Sequence, residues 1–354
     1  MTDVITQQVN DVLENLNQAL VKKDPEAFAS CFLDDGYWRD LLAFTWNIKT
    51  LESHDEIKGM LQAQLQHINA SSFSIAPNEP AADENGLAAA WLTFETDEAR
   101  GYGHIRIAGD KIFSLFTSIY ELKGHEEALG SNRPFGTTHG ADKNRINWKD
   151  GLAQKKQELG YTTQPYVLII GGGQSGLALG ARLKMLGVPA LIIEKNEKAG
   201  DNWRNRYKSL CLHDPVWYDH LPYMPFPDNW PVFTPKDKLG DWFEFYCEMM
   251  ELNFWGSTTC ENAQFDEESD KWTVTVDRAG EKVILNPTQL VIATGLSGKK
   301  TTPTIKGMEK FRGEQHHSSE HPGPDNYNGK KALVVGSNNS AHDIAAALWE
   351  NDVD

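Results

Sequence analysis

Gly171-Gly172-Gly173-Gln174-Ser175-Gly176 stands directly behind the apolar, β-branched run Tyr166-Val167-Leu168-Ile169-Ile170. That run reads as a buried parallel strand. Gly171, Gly173 and Gly176 have the spacing that permits a tight turn and a close backbone approach to a pyrophosphate, with Gln174 and Ser175 inside the same loop. Leu177 to Leu186 carries apolar residues at helical spacing, so this helix aims its first N–H groups at the phosphates. A second apolar run, Pro189 to Ile193, ends in Glu194 and Lys195; 194 − 171 puts the acid 23 residues past the first glycine. A carboxylate there accepts from a ribose 2′-OH. Glycines alone mark any Gly-rich turn. Strand, glycines, helix, strand and acid in this order specify a dinucleotide site.

Four later segments add chemistry. Ala199-Gly200-Asp201-Asn202-Trp203-Arg204 sets an indole beside a guanidinium, which in isolation is a surface cation–π pair. Leu290-Val291-Ile292-Ala293-Thr294-Gly295 is a further buried strand, with a glycine that lets the chain leave it sharply. Phe311-Arg312-Gly313-Glu314-Gln315-His316-His317 has the spacing FxGxxxH. Lys331-Ala332-Leu333-Val334-Val335-Gly336 opens a second strand–turn–helix through Ser337, Asn338, Asn339 and Ser340, with Asn338 and Ala341 at the second and third glycine positions. Alanine is tolerated at the helix-packing position; asparagine where a phosphate approaches is a departure.

Taken together these segments resemble the flavin-containing monooxygenases, the class that includes the plant indole-3-pyruvate monooxygenases. Residues 199–204 are similar to its GGxWR element, with Ala199 for the first glycine. Ala293-Thr294-Gly295 is similar to its ATG motif. Residues 311–317 are similar to its FxGxxxH pattern, with His321 where the pattern ends in an aromatic. Cys211-Leu212-His213-Asp214-Pro215 resembles the plant-type His-Leu-Pro segment. The resemblance implies FAD held by Gly171, Gly173, Gln174, Ser175, Gly176, Glu194, Lys195, Trp203, Arg204, Thr294 and Gly295. By the same match His213 lies near the flavin ring and is a catalytic candidate; a structural histidine is the competing reading. The second fingerprint (Gly336, Ser337, Asn338, Asn339, Ser340) is implied to carry NADPH, with NADH as the alternative. The implied reaction passes one oxygen atom of O2 to a small organic substrate through a C4a-(hydro)peroxyflavin. Asp354 falls just after the first helix of the second nucleotide fold, so the expectation is a C-terminally truncated chain. A truncated, non-catalytic flavin-binding or interaction protein is therefore the alternative function.

What must position these residues follows from the rest of the chain. Its 354 residues suffice for about two domains. A net charge of −16 without a Lys/Arg-dense face argues against nucleic acid or an anionic membrane as partner. Cys31, Cys211, Cys247 and Cys260 show no CxxC or zinc-ligand spacing, which disfavours a disulfide reductase and a metal centre and fits a reducing compartment. With no signal peptide or membrane-spanning run in the sequence, a cytoplasmic protein is expected.

Residues 1–125 are expected to form an α+β cone. Val9, Leu13, Leu16 and Leu20 recur at helical spacing up to Asp24-Pro25. Helical patterns then cover Ala27–Phe32 and Glu56–Ile68, and strands cover Ala88–Glu95, Gly101–Ala108 and Lys111–Tyr120, the last two joined at Gly109-Asp110. This order resembles the NTF2-like (ketosteroid-isomerase-like) fold, which encloses an apolar pocket. Asp35, Asp40 and His54 are the residues an acid–base site there would use. Their spacing is not diagnostic, so surface or capping roles are the reading taken. Residues 126–163 read as a polar linker followed by a helix from Trp148 to Leu159. A Rossmann-type α/β FAD-binding domain is expected over 164–328, and the beginning of a Rossmann-type NAD(P)-binding domain over 329–354.

Overall fold

The computed structural model describes residues 2–296 and 298–354. It divides into two compact units, Met1–Glu127 and Ala128–Asp354.

The first unit opens with α1 (Thr2–Val21), which buries Val9, Val12, Leu13, Leu16 and Leu20 on one face. Asp24 then caps α2 (Pro25–Ala29), its carboxylate accepting from the Glu26 and Ala27 N–H groups at 3.1 and 3.0 Å, with Pro25 preset for the first turn. This corrects the second helical segment expected from the sequence. It ends at Ala29, and Phe32 opens a strand instead. The strands are β1 (Phe32–Leu41) and β2 (Ile48–Leu51) before α3 (His54–Gln64), then β3 (Ser74–Ile75), β4 (Ala82–Glu84), β5 (Leu87–Glu95), β6 (Ala99–Ala108) and β7 (Lys111–Leu122). They form one mixed sheet in the order β2-β1-β7-β6-β5-β3, with β4 also on β5 and the β1–β7 pair parallel. β6 and β7 turn at Gly109, where φ is +63°.

The core of this unit is a run of rings. Phe28 stacks on Trp38 (5.3 Å between centroids), Trp38 meets Phe44 edge-on (4.9 Å), and Phe44 and Phe73 close on Phe94 (5.8 and 4.9 Å). Asp40 is buried among them. Its carboxylate accepts from the Phe44 and Thr45 N–H groups and from the hydroxyls of Thr45 and Thr117 (2.7–3.0 Å), while the Trp38 indole donates to Thr117. Asp40 therefore caps the turn after β1. His54 Nε2 lies 3.0 Å from the Phe32 carbonyl oxygen, and Asp35 is exposed.

The second unit begins with a largely exposed, irregular stretch and α4 (Trp148–Glu158), capped by Asn147. Then come β8 (Val167–Ile170), α5 (Gln174–Met185), β9 (Ala190–Ile193), α6 (Asp201–Arg204), α7 (Lys236–Met249) and β10 (Phe254–Trp255). These are followed by β11 (Thr258–Asp266), β12 (Lys271–Arg278), β13 (Glu281–Leu285), β14 (Gln289–Ile292) and α8 (Asn339–Trp349). A parallel sheet runs β10-β9-β8-β14, and β11-β12-β13 is an antiparallel meander. Alternation along the strands serves both faces. Val167, Ile169 and Ile192 pack with Leu177, Leu239, Phe243 and Tyr246 of α5 and α7. Leu168, Leu191 and Ile193 pack with Val274, Val276 and Leu285 of the meander. Helix, sheet and meander thus make three layers of the Rossmann-like kind.

One expected strand does not form. Lys331–Gly336 has no ladder partner among the described residues, and Leu333 and Val335 are 89% and 65% exposed. An apolar run becomes a strand only where a neighbouring strand takes its N–H and C=O groups.

Candidate functional site

The glycine loop joins β8 to α5, and each of its glycines has a separate cause. Gly171 adopts φ +114°, and a side chain there would overlap the Ala293 carbonyl at the end of β14. A methyl on Gly172 would strike the Phe254 ring. One on Gly176 would overlap the Gly171 carbonyl oxygen, so this glycine lets α5 seat on its own loop. Gly173 differs: a Cβ there meets only Asn202 Nδ2, at 3.2 Å. No backbone atom crowds it, and it is the N-cap of α5 with no side-chain cap among the described residues. The first turn of this twelve-residue helix thus presents uncapped N–H groups beside exposed Gln174 and Ser175.

Glu194 stands at the C-terminal end of β9, buried. It accepts from the Gly172 N–H at 2.8 Å through one oxygen and from the Asn196 backbone N–H (2.9 Å) and side-chain amide (2.6 Å) through the other. The acid is fixed against the loop 22 residues before it. Oε2, with one donor, keeps a lone pair for a further donor. Lys195 beside it is exposed.

The loop's far wall is α6. Asn202 Oδ1 and Trp203 Nε1 are buried and have no hydrogen-bond partner among the described residues, and the same holds for Thr234 Oγ1. Unpaired buried polar atoms are costly, so Asn202, whose amide borders Gly173 at the helix N-terminus, fits a bound polar molecule. Arg204 is committed elsewhere. Its guanidinium pairs with Asp201 (2.9 Å), Asp241 (2.9 Å) and Glu244 (2.8 Å), and its stem fills the space over Gly240, clamping α6 to α7. Thr294 and Gly295 follow β14 and are exposed, Gly295 with φ +81°.

His213 lies with the second fingerprint. Its Nε2 is 3.0 Å from Asp343 Oδ2, and its Nδ1 accepts from the Asn339 side-chain amide at 2.8 Å. Tyr207 donates to the same Asp343 oxygen at 2.7 Å, and burial followed by this carboxylate pushes the phenol up to about 12. Both ring nitrogens of His213 are therefore engaged at the first turns of α8. Gly336, Ser337, Asn338, Asn339 and Ser340 lead into this helix, whose N-cap Asn338 makes no side-chain cap among the described residues. In the 311–327 segment His321 stacks between His316 and Tyr327, with His316 Nε2 3.3 Å from His321 Nδ1. Among the described residues no His, Cys, Asp or Glu cluster is arranged to hold a metal, and no helix is long and apolar enough to cross a membrane.

Three participants escaped sequence reasoning: Asn202 beside Gly173, Asn196 on Glu194, and Asp343 on His213. Asn202 lies inside the Trp203-Arg204 element and was within reach of it. Asp343 is 130 residues from His213 and was not.

Comparison with known proteins covers the second unit. Residues 168–354 match the family described as pyridine nucleotide-disulphide oxidoreductase. An indole-3-pyruvate monooxygenase of Oryza sativa subsp. japonica is 36% identical over 197 residues, 55% of this chain and 47% of the relative. A probable indole-3-pyruvate monooxygenase of Arabidopsis thaliana is 36% identical over 183 residues, 51% of this chain and 44% of the relative. The chain thus spans about half the length of the curated relatives it matches. Among solved structures, a flavin-containing monooxygenase from Stenotrophomonas maltophilia aligns with TM-score 0.48 and 25% identity over 53% of this chain and 56% of that one. The chain belongs to the pyridine nucleotide-disulphide oxidoreductase family, and the curated relatives it resembles include indole-3-pyruvate monooxygenases.

Proposed function

We propose that the second unit binds FAD at the β8–α5 loop and belongs to an NAD(P)H-using monooxygenase that oxygenates a small organic substrate with O2. The observation that carries this reading is the uncapped start of α5 at Gly173, where only a side-chain amide stands close, with Glu194 fixed alongside. There the N–H groups of α5 take the pyrophosphate and Glu194 takes a ribose hydroxyl. Asn202 and Trp203 supply donors or acceptors that otherwise have no partner. The flavin, when bound, supplies the redox and oxygen chemistry; the chain's share is to hold it and keep water from it. The monooxygenase relatives support the reaction class, and the 293–295 and 311–317 motifs agree with it.

In this reading residues 164–328 are the flavin domain and 329–354 begin a nicotinamide-nucleotide domain, with Gly336–Ser340 as its phosphate turn. The first unit is read as an NTF2-like cone over 1–125, supported by its three helices against a mixed sheet, with rings filling its interior. A cytoplasmic location is in keeping with four free cysteines among the described residues.

A second reading, flavin binding without nicotinamide-driven turnover by this 354-residue chain, is favoured by one observation. Residues 331–336 lead to α8 without sheet pairing, so its N-terminus is held by side-chain bonds to Tyr207 and His213 and not by a strand of a second nucleotide fold. Anaerobic mixing of the FAD-loaded chain with NADPH or NADH distinguishes the two. Rapid bleaching of the oxidised flavin supports turnover by this chain, and persistence of the flavin absorbance supports the second reading. Failure of the chain to take up FAD at all contradicts both.

A further inference from the structure

Residues 311–327 form a strap between β14 and the second fingerprint, and rings dock it. His321 is only 8% exposed. It lies between His316 (5.6 Å between centroids, planes 23° apart) and Tyr327 (5.8 Å, 20°). Tyr327 packs in turn on the cluster of Tyr207, Ile344 and Leu348, the last two on α8. Such a stack needs only flat faces. An aromatic at 321, where the FxGxxxH pattern ends, would supply one; histidine keeps the face and adds a proton that can come and go.

Contact couples the two imidazoles. His316 Nε2 is 3.3 Å from His321 Nδ1, so one ring donates and the other accepts. The neutral pair meets this need, and so does the pair with one added proton. A second added proton would set two N–H groups and two positive charges face to face, one of them on the buried ring. His321 Nε2 is buried without a partner among the described residues, so no acceptor compensates that charge. Burial first, then His316, hold the His321 imidazole below the usual histidine range. A strap lifted off α8 has both rings in water and takes both protons. The released state therefore binds more protons than the docked one, and docking weakens as pH falls below about 6.5, the value of a histidine in water.

The other charged groups around the strap are engaged apart from the two imidazoles. Lys300 holds the Glu320 carboxyl below its usual range, and Lys208 pairs with Asp325 at 2.7 Å. Tyr327 donates to Glu314 at 2.9 Å, with Lys330 over its ring. On α8, Asp343 is taken by Tyr207 and His213, and His342 is exposed, as is Arg312 on the strap. His317 accepts the Ser319 N–H at 3.2 Å and caps its own turn.

We propose that His316 and His321 form a proton-operated catch, which holds residues 311–327 on α8 at neutral pH and releases them in mild acid. The release uncovers the Ile344 and Leu348 face of α8, the helix into which the turn at 336–340 leads.

Hydrogen exchange of the full chain from about pH 8 to about pH 5, corrected for the intrinsic pH dependence of exchange, tests this in wild type, His321→Phe and His317→Asn. In wild type, peptides from 311–327 and from α8 should lose protection together, by about tenfold or more, while those of β8 and β9 keep theirs. His321→Phe keeps the stack without the proton and should stay protected throughout. His317→Asn keeps the cap and should release as wild type does. Should His321→Phe fold poorly, the imidazole resonances of the wild type provide the second readout, with His321 titrating below the range of a histidine in water and in step with the lost protection. Protection unchanged across this range, release that persists in a folded His321→Phe, release abolished in His317→Asn, or a His321 that titrates as in water while the strap stays protected would each overturn the proposal.

Discussion

Glu194 Oε2 accepts the Gly172 N–H at 2.8 Å, so the acid at the end of β9 holds the glycine loop in shape before any nucleotide arrives. The acid therefore has two roles, one in the fold and one toward a ligand. Glu194→Ala strands the Gly172 and Asn196 donors in a buried setting and should cost about 1–3 kcal/mol. Glu194→Gln keeps one acceptor oxygen of the two and should cost less. Thermal unfolding of the two variants separates them; equal midpoints would show that the carboxylate does not support the loop.

Gly173 and Gly176 should answer substitution in opposite ways. A Cβ at 176 overlaps the Gly171 carbonyl oxygen, so Gly176→Ala should lower the thermal midpoint of the free protein. Gly173 has only Asn202 Nδ2 at 3.2 Å, so Gly173→Ala should leave that midpoint nearly unchanged. Scanning calorimetry without nucleotide gives the comparison, and equal losses at both positions would contradict it.

Residues 1–127 should fold when produced alone, since they form a compact unit around their own ring core. Within that segment Asp40→Ala leaves the Phe44 and Thr45 N–H groups and the Thr117 hydroxyl without this acceptor and should cost on the order of 3 kcal/mol. Urea unfolding of the segment measures both. A non-cooperative melt contradicts the first expectation, and a wild-type midpoint for Asp40→Ala contradicts the second.

Asp219 carries the pH dependence. Burial, then the neighbouring Asp214 charge, raises its carboxyl above the usual range, and Oδ2 is buried without a partner among the described residues. A raised acid disfavours ionisation in the folded state. Its cost to stability is therefore present above the folded pKa and vanishes below the unfolded one. Asp219→Asn should melt above wild type at neutral pH, with the gap closing as pH falls through the carboxylate range. A gap that widens on acidification would refute this sign.

The sequence was most readable where local pattern and tertiary context agree. Val167–Ile170 and Ala190–Ile193 are short apolar runs between turn residues, and both became parallel strands packed on two faces. β1 was invisible because Asp34, Asp35, Arg39 and Asp40 interrupt its alternation, and Asp40 is buried only because Thr45 and Thr117 meet it from elsewhere. Lys331–Val335 misled in the other sense. It is apolar enough for a buried strand but has no ladder, which no local pattern reports. At the site, the glycine spacing carried the geometry. The commitment of Arg204 to Asp241 and Glu244, some 40 residues on, could not be read from a Trp-Arg dipeptide.

The central claim is that the uncapped start of α5 at Gly173 receives the FAD pyrophosphate, and a flavin titration tests it most directly. Purified protein, stripped of nucleotide, is titrated with FAD while flavin fluorescence and bound absorbance are followed, for wild type and for Gly173→Val. Wild type should bind FAD with saturation at one per chain. Gly173→Val, folded as judged by circular dichroism, should lose at least tenfold in affinity, about 1.4 kcal/mol. A wild type that takes up no flavin, or a folded Gly173→Val that binds it as tightly as wild type, would contradict the account.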